Sequence, residues 1–373
     1  MNHIHGDEAL RATARYSIIC MLAFGTGLCV VKQKKSDSIY LSEKISDQLL
    51  INIGWIIFGI SLPCVLIYDL SELYIVFTHG GVASAIRSSA GQAIMSRFTI
   101  ISRIAHYYVP SLILLRLSID DVKKTKLFNF LMIAHFIVYS FTGQRTVALA
   151  IFLVYLVLSK LKNKETYSHS NSIYVGIGLL AMIILSAYLG DTRSLTDKSF
   201  VFSSIGAAIV RFIAECGGSA YPMAVIYSIC PVIVPFTFGK AYLAAAVGFF
   251  PTFFDFTGTL DKIVAYGNDG WLTEYLGFSY GVGYSLIGES YYNFAWFGFL
   301  AILIIGILLG KYMGAIDIDE FNTYSLFKKY TTIVMLFELI TLPRRGIFTF
   351  FNSLFYDVFV IYIICTIARK RKN

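Results

Sequence analysis

Apolar residues in this chain come in long runs separated by short lysine clusters. The runs are about Tyr16–Val31, Leu49–Asp69, Ile104–Leu117, Leu127–Phe141, Thr146–Leu158, Ile173–Leu189, Tyr292–Leu309, Leu326–Leu342 and Ile347–Ile367. At about 1.5 Å rise per residue, a helix of this kind matches a hydrocarbon core about 30 Å thick. The alternating segments of about ten residues that a β-barrel needs are not seen. The pattern predicts an all-α fold, a polytopic transmembrane helical bundle of about 9–11 spans.

One stretch breaks the pattern. Between Gly190 and Phe297, helical runs are interrupted by Gly and Pro, and charge returns among aromatic residues. Val201–Ile213 and Ala220–Val234 are apolar but broken by Arg211, Glu215 and Pro231; Ala241–Phe254 contains Pro251. The organisation that follows is N-terminal spans over residues 1–189, a long loop of amphipathic, partly membrane-embedded helices over 190–291, and C-terminal spans over 292–373. Residues 70–102, with His79, Arg87 and Arg97, are too polar to span and predict a surface or re-entrant loop.

Charge orients the bundle. Lysines cluster at Lys32–Lys35, Lys123–Lys126, Lys160–Lys164 and Lys311, and the tail reads Arg369-Lys370-Arg371-Lys372. If each run crosses once, these all fall on one side, and the positive-inside rule makes that side the cytoplasm. The long segment and the two arginine-bearing turns fall opposite. The N-terminus is then outside, which leaves room for an earlier span ahead of Met1.

Composition agrees with this picture. The 373 residues are 57% hydrophobic and 14% charged, with a mean hydropathy of +0.68. The net charge of +8 is topological rather than a nucleic-acid signature, so no nucleic-acid partner is expected. The six cysteines are scattered, without metal-ligand spacing. His79, His106 and His135 are isolated, which favours hydrogen-bonded packing over metal binding. No P-loop, dinucleotide fingerprint or GxSxG occurs, and neither cofactor nor metal is expected.

Two features could carry chemistry. Arg145 lies in the turn Thr142–Arg145, and Arg344 and Arg345 lie in the turn Pro343–Gly346. Both turns sit on the face opposite the lysines. Guanidinium makes paired, charge-assisted bonds to phosphate. The other reading is a snorkelling side chain that anchors a helix end. With Arg193 and Arg211, these arginines point to an anionic ligand. The second feature is Glu289, just before a spanning run. It is either a helix-terminal carboxylate held by the dipole or a base at the membrane surface. Glu215 follows Arg211 by four residues, the spacing of a simple helical ion pair. Tyr280, Tyr284, Tyr291 and Tyr292 form either an interfacial belt or a sugar-stacking surface.

At these residues a family resemblance emerges. Pro235-Phe-Thr-Phe-Gly239-Lys-Ala-Tyr242, followed by Phe249-Phe250-Pro251, resembles the "pF..G..Y......iP" segment of Wzy-type O-antigen polymerases, the oligosaccharide repeat-unit polymerases. Gly281-Val-Gly283-Tyr-Ser285, continuing through Glu289 to Tyr292-Asn293-Phe294, resembles their "G.G.S..aE.Y.NFG" segment. Gly143-Gln144-Arg145 is similar to their Gly-Ser-Arg turn. Arg193 and Glu215-Cys216-Gly217 also fit. The likeness covers about Arg116 to the end. It departs at Ala295, where glycine is usual, and at Gln144, where serine is usual.

The resemblance implies a GT-C-like membrane glycosyltransferase of the bacterial inner membrane. It would polymerise undecaprenyl-diphosphate-linked oligosaccharides on the periplasmic face, with a large periplasmic loop. Partners would be those lipid-linked oligosaccharides, membrane lipid and a chain-length regulator protein. The expected catalytic set is Glu289, Arg145 and Arg345. Diphosphate and sugar are expected on Arg344, Arg193, Arg211, Glu215, Tyr280, Tyr292 and Asn293. An O-antigen ligase shares this architecture. A lipid-linked oligosaccharide flippase is the non-enzymatic competitor; it predicts charges near the membrane midplane, whereas the arginines here lie at the outer boundary.

Overall fold

The computed structural model describes residues 6–30, 45–78, 89–142, 145–162, 206, 210, 220–249, 257–267, 270–277, 285–314 and 321–370. Among these no strand occurs. Among the described residues, five helices are long and apolar enough to cross a membrane: Glu8–Val30, Asp47–Thr78, Ala93–Ser118, Leu286–Met313 and Ile347–Arg369. The chain is a multi-pass helical membrane protein.

The five clear spans are fewer than the apolar runs, for physical reasons. Helix α6 (Val122–Phe141) carries Lys123, Lys124, Lys126, Asn129 and His135. Helix α14 (Leu326–Arg345) carries Lys328, Lys329, Glu338 and two arginines. Both have spanning length but a heavy polar load. Helix α7 (Arg145–Lys162) has an apolar stretch, Thr146–Leu161, that falls short of a full span. The run 173–189 lies outside the described residues.

Boundaries also move. Helix α1 (Gly6–Val30) starts well before the first apolar run. Helix α2 (Asp47–Thr78) continues through Leu70–Thr78, where a surface loop was expected. That continuation is stabilised by the burial of Ile75 and Val76, and Glu72 is buried with them. Beyond residue 88 the chain is helical again as α3 (Ser89–Met95), α4 (Thr99–Ala105) and α5 (Tyr108–Ser118).

The chain forms two compact units. The first is Met1–Leu41, Gly217–Thr323 and Thr341–Tyr356. Its described helices are α1, α8 (Ala220–Ile229), α9 (Lys240–Val247), α10 (Thr259–Val264), α11 (Gly270–Tyr275), α12 (Leu286–Phe294), α13 (Gly298–Gly314) and α15 (Ile347–Leu354). Helix α1 packs along α13. A Cβ on Gly306 would lie 2.6 Å from Phe24 O, so only glycine allows this backbone approach. Above that contact, the Tyr16 hydroxyl bonds Ser290 Oγ at 2.9 Å, and its ring meets Tyr291 and Trp296 edge-on.

The second unit is Ser42–Cys216, Tyr324–Ile340 and Asp357–Asn373. Helix α2 packs on α4 and α5, and α6 pairs with α7 as the expected hairpin. Aromatic rings of Phe58, Trp55, Phe128 and Tyr108 fill the α2–α5–α6 junction. Several buried polar groups here meet a polar side chain of another helix. His135 Nδ1 lies 3.0 Å from Asp69 Oδ2, and Arg116 Nε donates to Asn129 Oδ1 at 2.8 Å. Asp357 Oδ1 lies 3.2 Å from His106 Nε2, and the Tyr330 hydroxyl donates to Asp357 O at 2.6 Å. Asp357 sits near the middle of the span Ile347–Arg369, inside a π-helical stretch, Phe355–Val360. Titratable groups therefore do enter the spans, and charge placement alone does not exclude a transporter.

Candidate active site

Helix α12 begins at a side-chain cap. Ser285 is extended, and its side chain accepts from Gly288 N at 3.3 Å. This start precedes the expected span start at Tyr292, so Glu289 lies inside the first turn rather than ahead of the helix. Its side chain is fully buried.

The bond Glu289 makes runs to another helix. Helix α14 extends through Pro343, Arg344 and Arg345, which were expected in a turn. Arginines in a last helical turn face the negative end of the dipole, which favours the continuation. Only Gly346 breaks the helix, at φ 81 and ψ 173, backbone angles that disfavour any other residue. Helix α15 follows without a side-chain cap of its own. Glu289 Oε2 supplies one from a distance, accepting from Ile347 N at 2.7 Å. The carboxylate and the arginine corner, separate features in the sequence, are thus joined through two residues of backbone. Glu289 Oε1 is buried and has no hydrogen-bond partner among the described residues.

Asn293 sits one helical turn after Glu289, as the sequence of α12 dictates. Its Nδ2 donates to Glu289 O at 2.8 Å. Its Oδ1 accepts from Thr237 Oγ1 at 2.9 Å and from Ala241 N at 3.2 Å. Thr237 N donates to Tyr292 O and Phe238 N to Asn293 O. One amide therefore locks the Pro235–Tyr242 segment to α12. Tyr292 is buried with its ring stacked on Trp271, centroids 4.7 Å apart. The two segments singled out by the family likeness are physically one structure.

Two residues given no role from the sequence join this place. The Tyr242 ring stacks on Phe294 at 5.7 Å, and its hydroxyl is buried without a partner among the described residues. Trp271 Nε1 is likewise buried and unpartnered. Tyr242 was visible within a motif, but its bare hydroxyl depends on folding. Nothing in the sequence around Trp271 marks it.

The remaining expected residues are placed differently. Arg344 and Arg345 are half-buried at the end of α14. Arg145 is the first residue of α7, in the second unit. Arg193, Arg211, Glu215 and Tyr280 lie outside the described residues.

The family model described as O-antigen polysaccharide polymerase Wzy matches residues 6–372, nearly the whole chain. No curated protein and no solved structure matches it.

Proposed function

Because the chain belongs to the O-antigen polysaccharide polymerase Wzy family, we propose that it polymerises undecaprenyl-diphosphate-linked repeat units at the periplasmic face of the inner membrane, as a GT-C-like glycosyltransferase. The supporting observation is the bond from Glu289 to Ile347, which ties a carboxylate with one bare oxygen to the Arg344–Arg345 corner.

In this reading a hydroxyl oxygen of the incoming unit bonds to the anomeric carbon of the growing chain. The bond from that carbon to the diphosphate oxygen breaks, and its electron pair leaves with the diphosphate. The hydroxyl proton passes to Glu289 Oε1. Arg344 and Arg345 bind the leaving diphosphate and stabilise its developing charge. Arg145, Arg193 and Arg211 are further diphosphate contacts, and Glu215 and Tyr280 sugar contacts, by sequence pattern alone. Tyr292 contributes to an aromatic sugar-binding wall, and Asn293 holds the Tyr242 segment in place. A chain-length regulator is the protein partner in this reading.

The test is the lipopolysaccharide gel of a deletion strain. Collapse of the ladder to core plus a single unit is the polymerase outcome. Loss of short and long O-antigen together means a ligase. Complementation with Arg345→Ala should give the single-unit pattern with normal protein levels in the membrane. A normal long ladder from that variant removes Arg345 from the mechanism.

A further inference from the structure

Burying a hydroxyl or a carboxylate oxygen without a partner is unfavourable, and folded chains keep few such groups. The first unit keeps both close together. The Tyr242 hydroxyl and Glu289 Oε1 are each buried and without a hydrogen-bond partner among the described residues. The phenol lies within electrostatic reach of Glu289, Tyr16 and Cys20. Tyr16 is already engaged with Ser290, so it leaves the Tyr242 hydroxyl unbonded.

This arrangement is held from several sides. The Phe294 ring fixes the phenol by stacking. Asn293 binds the amide of Ala241, next to Tyr242, and the carbonyl of Glu289. The same side chain therefore joins the backbones that carry the two groups, while Ile347 N holds the Glu289 carboxylate.

The chemistry of the pair selects a ligand. A phenol offers a donor and a carboxylate offers acceptors. A diphosphate would accept from the phenol but be repelled by an ionised carboxylate. A polyprenyl tail satisfies neither group. A sugar satisfies both, because its hydroxyls donate and accept from adjacent carbons.

We propose that Tyr242 is a specificity-determining residue whose hydroxyl donates to an oxygen of the same sugar that presents its reacting hydroxyl to Glu289. This rests on the polymerase reading. It makes Tyr242 a contact to the acceptor, distinct from the arginines that serve the leaving group. The hydroxyl is retained at a cost to the unliganded protein.

The experiment uses the full chain in lipid vesicles, with lipid-linked repeat units extracted from a strain that lacks this protein. Tyr242→Phe keeps the ring stack and removes only the hydroxyl. The expected result is a KM for repeat units raised about tenfold, the worth of one neutral hydrogen bond, with kcat within about twofold. The thermal midpoint of the unliganded variant should be unchanged or raised, because a bare buried oxygen has been removed. An unchanged KM overturns the proposal, as does a fall in kcat alone. A raised KM with a lowered midpoint means a structural hydroxyl and also overturns it. If the wild type makes no polymer from these units, the polymerase reading falls instead.

Discussion

The two units bury carboxylates in different ways. In the second unit Asp69 faces His135 at 3.0 Å and Asp357 faces His106 at 3.2 Å, each meeting an imidazole nitrogen. His135 is further packed against the rings of Tyr108 and Tyr139. In the first unit Glu289 instead meets a neutral backbone N–H, and its Oε1, like Asp69 Oδ1, has no hydrogen-bond partner among the described residues. The first arrangement ties helices together across a medium where an unpaired charge is costly. The second holds a carboxylate still while keeping an acceptor site open. The difference lies in the bonded oxygen, which meets an imidazole of another helix in the second unit and a backbone amide beside the arginine corner in the first.

The largest effect should come from separating the oxygens of Glu289. In Glu289→Gln the amide oxygen can still accept from Ile347 N, so the helix cap survives. The proton-accepting capacity does not. Polymerisation should fall about a hundred- to ten-thousandfold, the range for losing a general base, while the thermal midpoint stays near that of the wild type. Glu289→Ala should lose both rate and stability. A Glu289→Gln variant with full activity would leave only the capping role.

The second unit should answer in the opposite currency. His135→Ala leaves Asp69 buried without its partner, which costs about 3–5 kcal/mol for a broken buried pair. Thermal unfolding in detergent should show this. A double variant, Asp69→Leu with His135→Leu, should recover most of the loss, because apolar groups of similar volume replace the pair. The double variant's residual activity should follow its stability. A stable double variant with no activity would move Asp69 and His135 from the fold into the reaction.

These contrasts were only partly legible in the sequence. Long apolar runs gave the membrane class and the clearest spans, because hydropathy is local and additive. Helix ends were less legible. Arg344 and Arg345 beside a proline and a glycine read as a turn, yet the helix dipole carries them in α14 up to Gly346. Leu70–Thr78 read as too polar to span, yet Glu72 is buried and α2 continues. Glu289 stood out as a charge near apolar sequence. Its partner, the amide of Ile347, lies 58 residues away and is a backbone group that no side-chain pattern marks. The Asp69–His135 pair spans 66 residues, so the hydrogen-bonded packing expected of His135 was right in kind while its partner stayed hidden. Tyr242 and Asn293 were noticed as motif members, but the bonds that join them exist only once both segments are folded.

The smallest effect concerns Ala295, where α12 ends and a short 3-10 turn, Ala295–Phe297, leads into α13. Its φ of 53 and ψ of −137 are a conformation that a side chain disfavours. The family pattern has glycine at this position, and the angles explain why. Ala295→Gly removes the clash with the Cβ but adds freedom to the unfolded chain, so the two effects partly cancel. The net gain should be about 1 kcal/mol, read as a modest rise in thermal midpoint. Asn293 and its bonds to the Tyr242 segment lie on the other side of this bend, so activity should hold. A lower midpoint for Ala295→Gly would mean that the bend is unstrained and that the methyl contributes packing. A loss of activity with a higher midpoint would mean that the strain itself keeps Glu289 and Tyr242 poised, and would tie the bend to the site.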